Sequence, residues 1–467
     1  MMRQARRKKR RTDFFGSFSG AIFCLIFFLS LNFVGKSALG SEEAAKNFEL
    51  GNGLKVFLLE KRNFPLVNAV AAVNLGSKDE TAETSGLVHM LEHYILFRGT
   101  ELRSGSEVSQ DVRRHGGYFN AHTGKDLSFF EISVPSENAE FALRNQKEIL
   151  FNLKLTQEAL DKEKEVILEE LSQLEDDPER YATSLVYQNL FKGHPYEYPL
   201  YGNKEIIQTI TTEKMEEFYR RYFVPSNCSL AVVGDFDLKN MEEKVRSVFG
   251  DIKGEALEKP KFSQAQPLDK SIELNVEMDV KKAYLVVGTH APDYNNPDQY
   301  ALDVLTEIFG RNVNPMLNSV LRGNRRLAET VFMAYHAHKY GGVTLIYLTL
   351  DPKNLEAAKR ETISFLRKSR DGSFSPEDFF GDQQIYAYDF LGGAKNQIRY
   401  NAFKSQEKGL SMAASLASYI LLKEGLEDRP YFENIDKVKS SDLRKAAAKY
   451  FSRSVYVIIS VIPKKNR

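Results

Sequence analysis

Two stretches dominate the pattern of apolar and polar positions along this chain. In the first, Leu87, Val88, Met90, Leu91, Ile95 and Leu96 form an almost unbroken apolar run, long enough for a buried helix. Its interruptions are His89, Glu92, His93 and Tyr94. In the second, after Thr156, a helical period places Leu160, Ile167, Leu171 and Leu174 on one stripe. Glu163 and Glu170 fall inside that stripe, whereas Glu158, Glu165 and Glu169 fall on the opposite face. A carboxylate on a core-facing stripe is costly unless a cation meets it. The competing reading has both glutamates at the stripe's edge, with their carboxylates in water.

Between and around these stretches the pattern switches to short strands. Leu54 to Leu59, Asn68 to Leu75, Ser128 to Val134 and Cys228 to Val233 are rich in Val, Ala and Phe and bounded by turn residues. Helices are predicted from about Glu137 to Leu153, over Tyr181 to Leu190 and from Thr211 onward, and Arg113-Arg114-His115-Gly116-Gly117 reads as a helix exit. Glu255 to Asp269, with two prolines and no periodicity, reads as a linker. Beyond it the plan repeats at an offset near 215 residues. Val134-Pro135-Ser136-Glu137 is echoed by Leu350-Asp351-Pro352-Lys353, and Leu87-Val88-His89-Met90-Leu91-Glu92-His93 by Ala301-Leu302-Asp303-Val304-Leu305-Thr306-Glu307. The second copy keeps the apolar positions and lacks the histidines.

Charge adds an N-terminal feature. The chain carries a formal +1, but residues 1–40 hold eight basic side chains against Asp13 alone, which leaves a mildly acidic body. That balance argues against nucleic-acid binding, which requires a basic face. Arg3 to Arg11 followed by the apolar Gly20 to Val34 and Ser37-Ala38-Leu39-Gly40 reads as a signal peptide cut after Gly40. An uncleaved anchor over residues 14–34 is the alternative. The expected compartment is therefore the periplasm or the exterior, with membrane attachment only if the segment stays. The expected division is 1–40 signal peptide, 41–256 first domain, 257–270 linker and 271–467 second domain. Past Gly40, Cys228 is the sole cysteine, so an internal disulfide is excluded and a large core must supply stability.

The chemistry concentrates in His89-Met90-Leu91-Glu92-His93. Residues four apart share a helix face, so both imidazoles can reach one metal ion, and Glu92 can reach a water on that metal. The order His-x-x-Glu-His inverts the commoner zinc-protease helix. The plainer reading is a chance meeting of two core histidines and a buried carboxylate. His336 and His338 have strand spacing, but two exposed polar positions explain them better than a metal, and His115, His122, His194 and His290 show no ligand spacing. Lys353 to Arg370 reads as a solvated helix face.

These residues resemble the pitrilysin/insulinase superfamily of zinc peptidases, in particular the shorter branch that includes the mitochondrial processing peptidases. The likeness spans about 45 to 460. It implies an α+β fold of two homologous domains, each a mostly antiparallel sheet covered on one side by helices. It implies Zn²⁺ held by His89, His93 and Glu170, with Glu92 as general base and Glu163 orienting the catalytic set. Gly116-Gly117 through Asn120-Ala121 and Thr123 matches the edge strand on which such enzymes lay an extended peptide. In the second half the family has an Arg, matched by Arg322, and seven residues later a Tyr that binds the scissile carbonyl; here that position is Glu329. The implied function is a zinc endopeptidase acting on extended peptides, as the catalytic subunit of a heterodimer, with a homodimer as the alternative partner state. A catalytically silent structural or chaperone-like subunit is the rival.

Overall fold

The computed structural model describes residues 44–254, 257, 262–311, 315–369, 389–422, 431–451 and 455–464. The expected signal peptide, much of the early linker and Asn312–Asn314 lie outside the described residues.

Two sheets organise the chain. The first uses β1 (Ala44–Glu49), β2 (Lys55–Glu60), β3 (Leu66–Val73), β4 (Tyr118–Thr123), β5 (Ser128–Pro135) and β6 (Cys228–Gly234), in the order β1-β2-β6-β3-β5-β4. The second uses β7 (Ile272–Met278), β8 (Ala283–Ala291), β9 (Thr330–His338), β10 (Gly341–Leu350) and β11 (Val457–Pro463), in the order β7-β11-β8-β10-β9. Removing β1 makes the two orders identical. Even the single parallel pairing recurs, β2 with β6 and β7 with β11, in otherwise antiparallel sheets. The repeat read from the sequence is thus a repeat of topology.

Each half covers one side of its own sheet with helices, as expected, and the second side is covered from the other half. β3 is buried at every position but Leu66, which requires apolar cover on both faces. On one face Val56, Leu58, Ala69, Ala71 and Val232 pack under α1 (Leu87–Phe97) and its neighbours α2 (Gly105–Arg114) and α3 (Ala139–Phe151). On the other face Phe57, Val70, Ala72, Phe129 and Val233 meet Ala413, Leu416, Ala417, Ile420 and Leu421. Those five residues lie on the helix Gly409–Leu422, which belongs to the second half. The exchange is reciprocal. α4 (Gln157–Asp176) is followed by α5 (Pro178–Leu190), whose Ala182, Val186 and Leu190 pack on Val286, Leu345, Val457 and Ile459 of the second sheet. Each half therefore supplies one helix to the other half's sheet.

Local signals set the helix ends. Thr156 caps α4 by accepting the Ala159 N–H, and Asp177 caps α5 with Pro178 in its first turn. Gly86 precedes α1 at φ +96°, and a Cβ there would meet the Gly202 backbone, so only glycine fits. The Glu80 carboxylate accepts the Gly86 and Val88 N–H groups at 2.9 and 2.8 Å, which satisfies the buried start of the helix.

In the second half the helix Asp298–Thr306 occupies the place of α1. Asp303 and Glu307 stand where the repeat aligns His89 and His93. Burial pushes the Asp303 carboxyl up to about 7, against the Tyr431 hydroxyl, which donates to it at 2.7 Å, and the pull of Arg311; nearby Glu307 adds to the rise. Burial also raises Glu307, which faces Arg311 at 3.8 Å.

Two predictions follow from this packing. A Cβ at Gly288 would lie 2.3 Å from Val186 Cγ1 of the exchanged α5, and both sites are in the core. Gly288→Ala should cost about 1–3 kcal/mol in denaturant unfolding, and Val186→Ala in the same chain should recover part of it. A carboxyl raised in the folded state binds its proton more tightly there than when unfolded. Its stabilising contribution is full below about pH 4 and is lost as pH climbs toward 7. Asp303→Asn should therefore raise the melting temperature at pH 8 more than at pH 5; equal shifts at both would contradict the assignment.

Candidate metal centre

Ten of the eleven residues of α1 are buried, including His89, Glu92 and His93. α4 packs alongside with Glu163 buried and Glu170 partly open, while Glu158, Glu165 and Glu169 face solvent. The two helices bring the ligand atoms of His89, His93 and Glu170 within 4.8 Å of one another, the one such group of three among the described residues. His93 Nε2 lies 3.3 Å and His89 Nε2 3.9 Å from the same Glu170 oxygen. Glu170 keeps 40% of its side chain exposed, against 6% and 9% for the histidines, so the cluster opens to solvent on its side.

Glu163 explains how this geometry is held. It is 1% exposed, and its two oxygens accept from His93 Nδ1 at 2.9 Å and from Arg98 Nε. An Nδ1–H held by a carboxylate leaves the Nε2 lone pair facing Glu170. Two lone-pair donors and a carboxylate pointed at one space need a cation between them, and the donor set fits one metal ion. The same demand acts on protons. Burial disfavours a charged His93, yet hydrogen bonds to Glu163 and Glu170 raise it to about 10. His89 is pushed well down by burial and by His93, and among the described residues its buried Nδ1 has no hydrogen-bond partner. It stays a neutral donor.

Glu92 is 8% exposed and is not one of the converging three. Burial raises its carboxyl, opposed by hydrogen bonds from the Thr123 hydroxyl and backbone N–H and by His93, with Glu170 pushing it further up. A carboxylate beside the cluster, with its proton affinity raised by burial, suits the role of a general base. Thr123 ends β4, the outermost strand of the sheet, whose pairing among the described residues is with β5 alone. Ala121 of that strand points into the core and Asn120 is half-buried. An open strand edge is a template for an extended chain.

Arg322 makes none of the polar or ring contacts that hold the cluster together. It is exposed in the π-helical segment Ser319–Asn324 of the second half, and among the described residues the polar and ring contacts of the cluster are with first-half residues. Glu329 is exposed and ion-paired with Lys282. The expectation that His336 and His338 are exposed is wrong. Both are sheltered at the seam between the halves, where Tyr187 of α5 meets His336 Nδ1 at 3.2 Å and His338 Nε2 at 2.9 Å; burial lowers both to about 3. Cys228 is buried and free. Sequence reasoning missed Arg98, Glu80 and Tyr201, whose ring stands edge-on to His89 at 4.8 Å. The lone cation directly after the apolar run was a readable signal for Arg98; Tyr201, 112 positions from His89, left none.

Known proteins bear on this geometry in three ways. Residues 55–204 match the family described as insulinase (peptidase family M16), and residues 209–381 match the peptidase M16 inactive domain. An uncharacterized zinc protease of Rickettsia felis is 27% identical over 86% of this chain and 94% of its own length. The zinc protease PqqE of Helicobacter pylori is 25% identical over 86% and 89%. The chain belongs to peptidase family M16. Among solved structures, a protease from Helicobacter pylori superposes with TM-score 0.81 at 24% identity, covering 90% of this chain and all of that one. The M16 inactive domain from Pseudomonas fluorescens gives 0.78 at 18% identity over 91% and 99%. A chain of complex III2 from Candida albicans gives 0.72 at 16% over 89% and 95%. The M16 fold is thus common to all of them. In this M16 chain the three converging residues fall within the first matched region, and Asp303 and Glu307 within the region named inactive.

The Arg98–Glu163 pair yields a prediction. Arg98→Gln leaves a buried carboxylate facing only His93, so unfolding should cost about 2 kcal/mol less than in wild type, with metal affinity down about 10–100-fold. Adding Glu163→Gln should cost less than the sum of the two single changes, as read by denaturant melts and competition with a chelating dye.

Proposed function

We propose that this protein is a zinc-dependent endopeptidase that hydrolyses extended peptides in the cell envelope, as the catalytic subunit of a two-subunit enzyme. The observation that carries this reading is the convergence of His89, His93 and Glu170 beside Glu92 and an open strand edge. Relatives named zinc proteases support the choice of metal. His89 and His93 through their Nε2 atoms and Glu170 through a carboxylate oxygen would hold the ion. Bound there, zinc supplies Lewis acidity, which lowers the pKa of a ligated water to about 7 and polarises a carbonyl.

The chain's own residues do the rest. Glu163 and Arg98 keep the His93 ring fixed, so no reorientation is needed during reaction. Glu92 accepts a proton from the attacking water and returns it to the leaving amine nitrogen. Thr123 ends the strand packed on α1 beside Glu92, and the backbone edge at Asn120 and Ala121 pairs with the substrate main chain. A template of that kind selects extended or unfolded chains over folded ones.

Of the family's Arg and Tyr positions in the second half, Arg322 keeps a donor and Glu329 does not. Glu329 stands at the family's Tyr position and, when ionised, would repel an oxyanion; Arg322 is exposed. A related subunit closing over the first half would supply the donors, each worth about 3 kcal/mol. A homodimer is the second candidate. The basic-then-apolar residues 1–34 support export to the periplasm or retention as a membrane anchor.

Glu170→Gln should lose most bound zinc by elemental analysis. Glu92→Gln should keep it while peptide turnover falls about 10²–10⁴-fold. Parallel loss of zinc and activity in Glu92→Gln would remove it from the role of base. Purified zinc-loaded chain, confirmed monomeric by light scattering, should cleave an unfolded peptide poorly, and a partner bearing the Arg/Tyr pair should restore turnover. Robust monomer turnover undiminished by Arg322→Ala would overturn the subunit reading. Zinc binding without turnover in any assembly would favour a structural or chaperone-like subunit.

A further inference from the structure

The turn that joins β4 to β5 carries more contacts than a surface hairpin needs. Gly124-Lys125-Asp126 is closed by Gly124 N–H donating to the Leu127 carbonyl at 2.8 Å. The Ser77 and Lys78 N–H groups donate to the Gly124 and Lys125 carbonyls at 3.1 Å each, and Lys78 Nζ donates to the Asp126 carbonyl at 2.9 Å. Lys125 Nζ donates to the Tyr196 carbonyl at 3.1 Å and to that of Tyr198.

The Asp126 side chain then crosses to the other half. One oxygen accepts the Tyr196 hydroxyl at 2.7 Å, and the other accepts the Lys339 N–H at 3.0 Å. The Tyr196 hydroxyl in turn accepts the Tyr340 N–H at 3.1 Å. Lys339 and Tyr340 form the turn between β9 and β10, which is the repeat counterpart of the β4–β5 turn. The two equivalent hairpin tips therefore meet at one carboxylate that is 12% exposed and one fully buried tyrosine. His338 flanks the node, 3.8 Å from Asp126, and is itself held by Tyr187 of the exchanged α5.

Three residues before Asp126 is Thr123, the last residue of β4, and β4 packs on α1, the helix that carries Glu92. In a turn this short and this fully bonded, moving Asp126 moves Thr123. We propose that Asp126 and Tyr196 are positioning residues, through which docking of the second half aligns Thr123 and hence the Glu92 carboxylate. This rests on the reading of Glu92 as the peptidase base. It gives the second half a role in catalysis that needs no ligand or donor of its own.

The test is a double-mutant cycle on the zinc-loaded enzyme, in whichever assembly turns over a quenched fluorescent unfolded peptide. Tyr196→Phe removes one hydroxyl and keeps the ring; kcat should fall about tenfold with KM within about twofold and zinc content unchanged, as for a small misalignment at the reacting group. Thr123→Val should lower kcat similarly, and the double variant should be little worse than either, because both act along one path. A structural role alone would give additive losses or a changed melting temperature with kcat intact, and either overturns the proposal. Asp126→Asn serves as the second probe of the node and should behave as Tyr196→Phe. Hydrogen exchange of residues 118–128 gives a readout independent of activity and should be faster in Tyr196→Phe. If the wild-type enzyme cleaves nothing, the peptidase reading falls. Unchanged exchange in the variant would instead overturn the coupling itself.

Discussion

Each sheet of this protein has two apolar faces, and its own half covers only one of them. The first sheet cannot exist in water with Phe57, Val70, Ala72 and Val233 bare, and those side chains are covered by the helix Gly409–Leu422 from the far end of the chain. The second sheet is covered in the same way by α5. Burial of these faces, at about 25 cal/mol per Å² of apolar surface, ties the two halves into one cooperative body. It also has a mechanical consequence. α5 follows α4 with only Asp177 between them, so the helix that carries Glu163 and Glu170 is anchored at its far end on the other sheet.

The metal centre is built on that anchored helix by mutual compensation of charge. Glu163 would be intolerable at 1% exposure without Arg98 and the His93 ring. The ring so fixed presents its remaining lone pair to Glu170, where a cation completes the balance. Each group is acceptable only because the next is there, so the hydrogen bonds that orient the His93 ring are in place without the ion.

Symmetry of fold and asymmetry of chemistry coexist because they depend on different atoms. The second half repeats strand order and apolar positions, which packing demands. At the places of the two histidines it has Asp303, which accepts the Tyr431 hydroxyl, and Glu307, which faces Arg311. No third ligand joins them among the described residues. The family's description of this region as inactive agrees with that substitution.

Much of this was legible in the residues themselves. His89, Glu92 and His93 are neighbours on one helix, and Glu163 and Glu170 share a stripe on another, so periodicity alone could report both faces. The repeat was visible because packing constrains the same apolar positions twice. What the chain order could not convey is any contact made across the fold between unlike elements. The exchange of helices, the shelter of His336 and His338 against Tyr187, and the meeting of Asp126 with Lys339 each join residues about 100 to 360 positions apart, with no shared period to reveal them. Local chemistry follows from local spacing and is written in the sequence. Which face meets which is decided by the search for apolar cover and for partners of buried polar groups, and only the assembled structure supplies that answer.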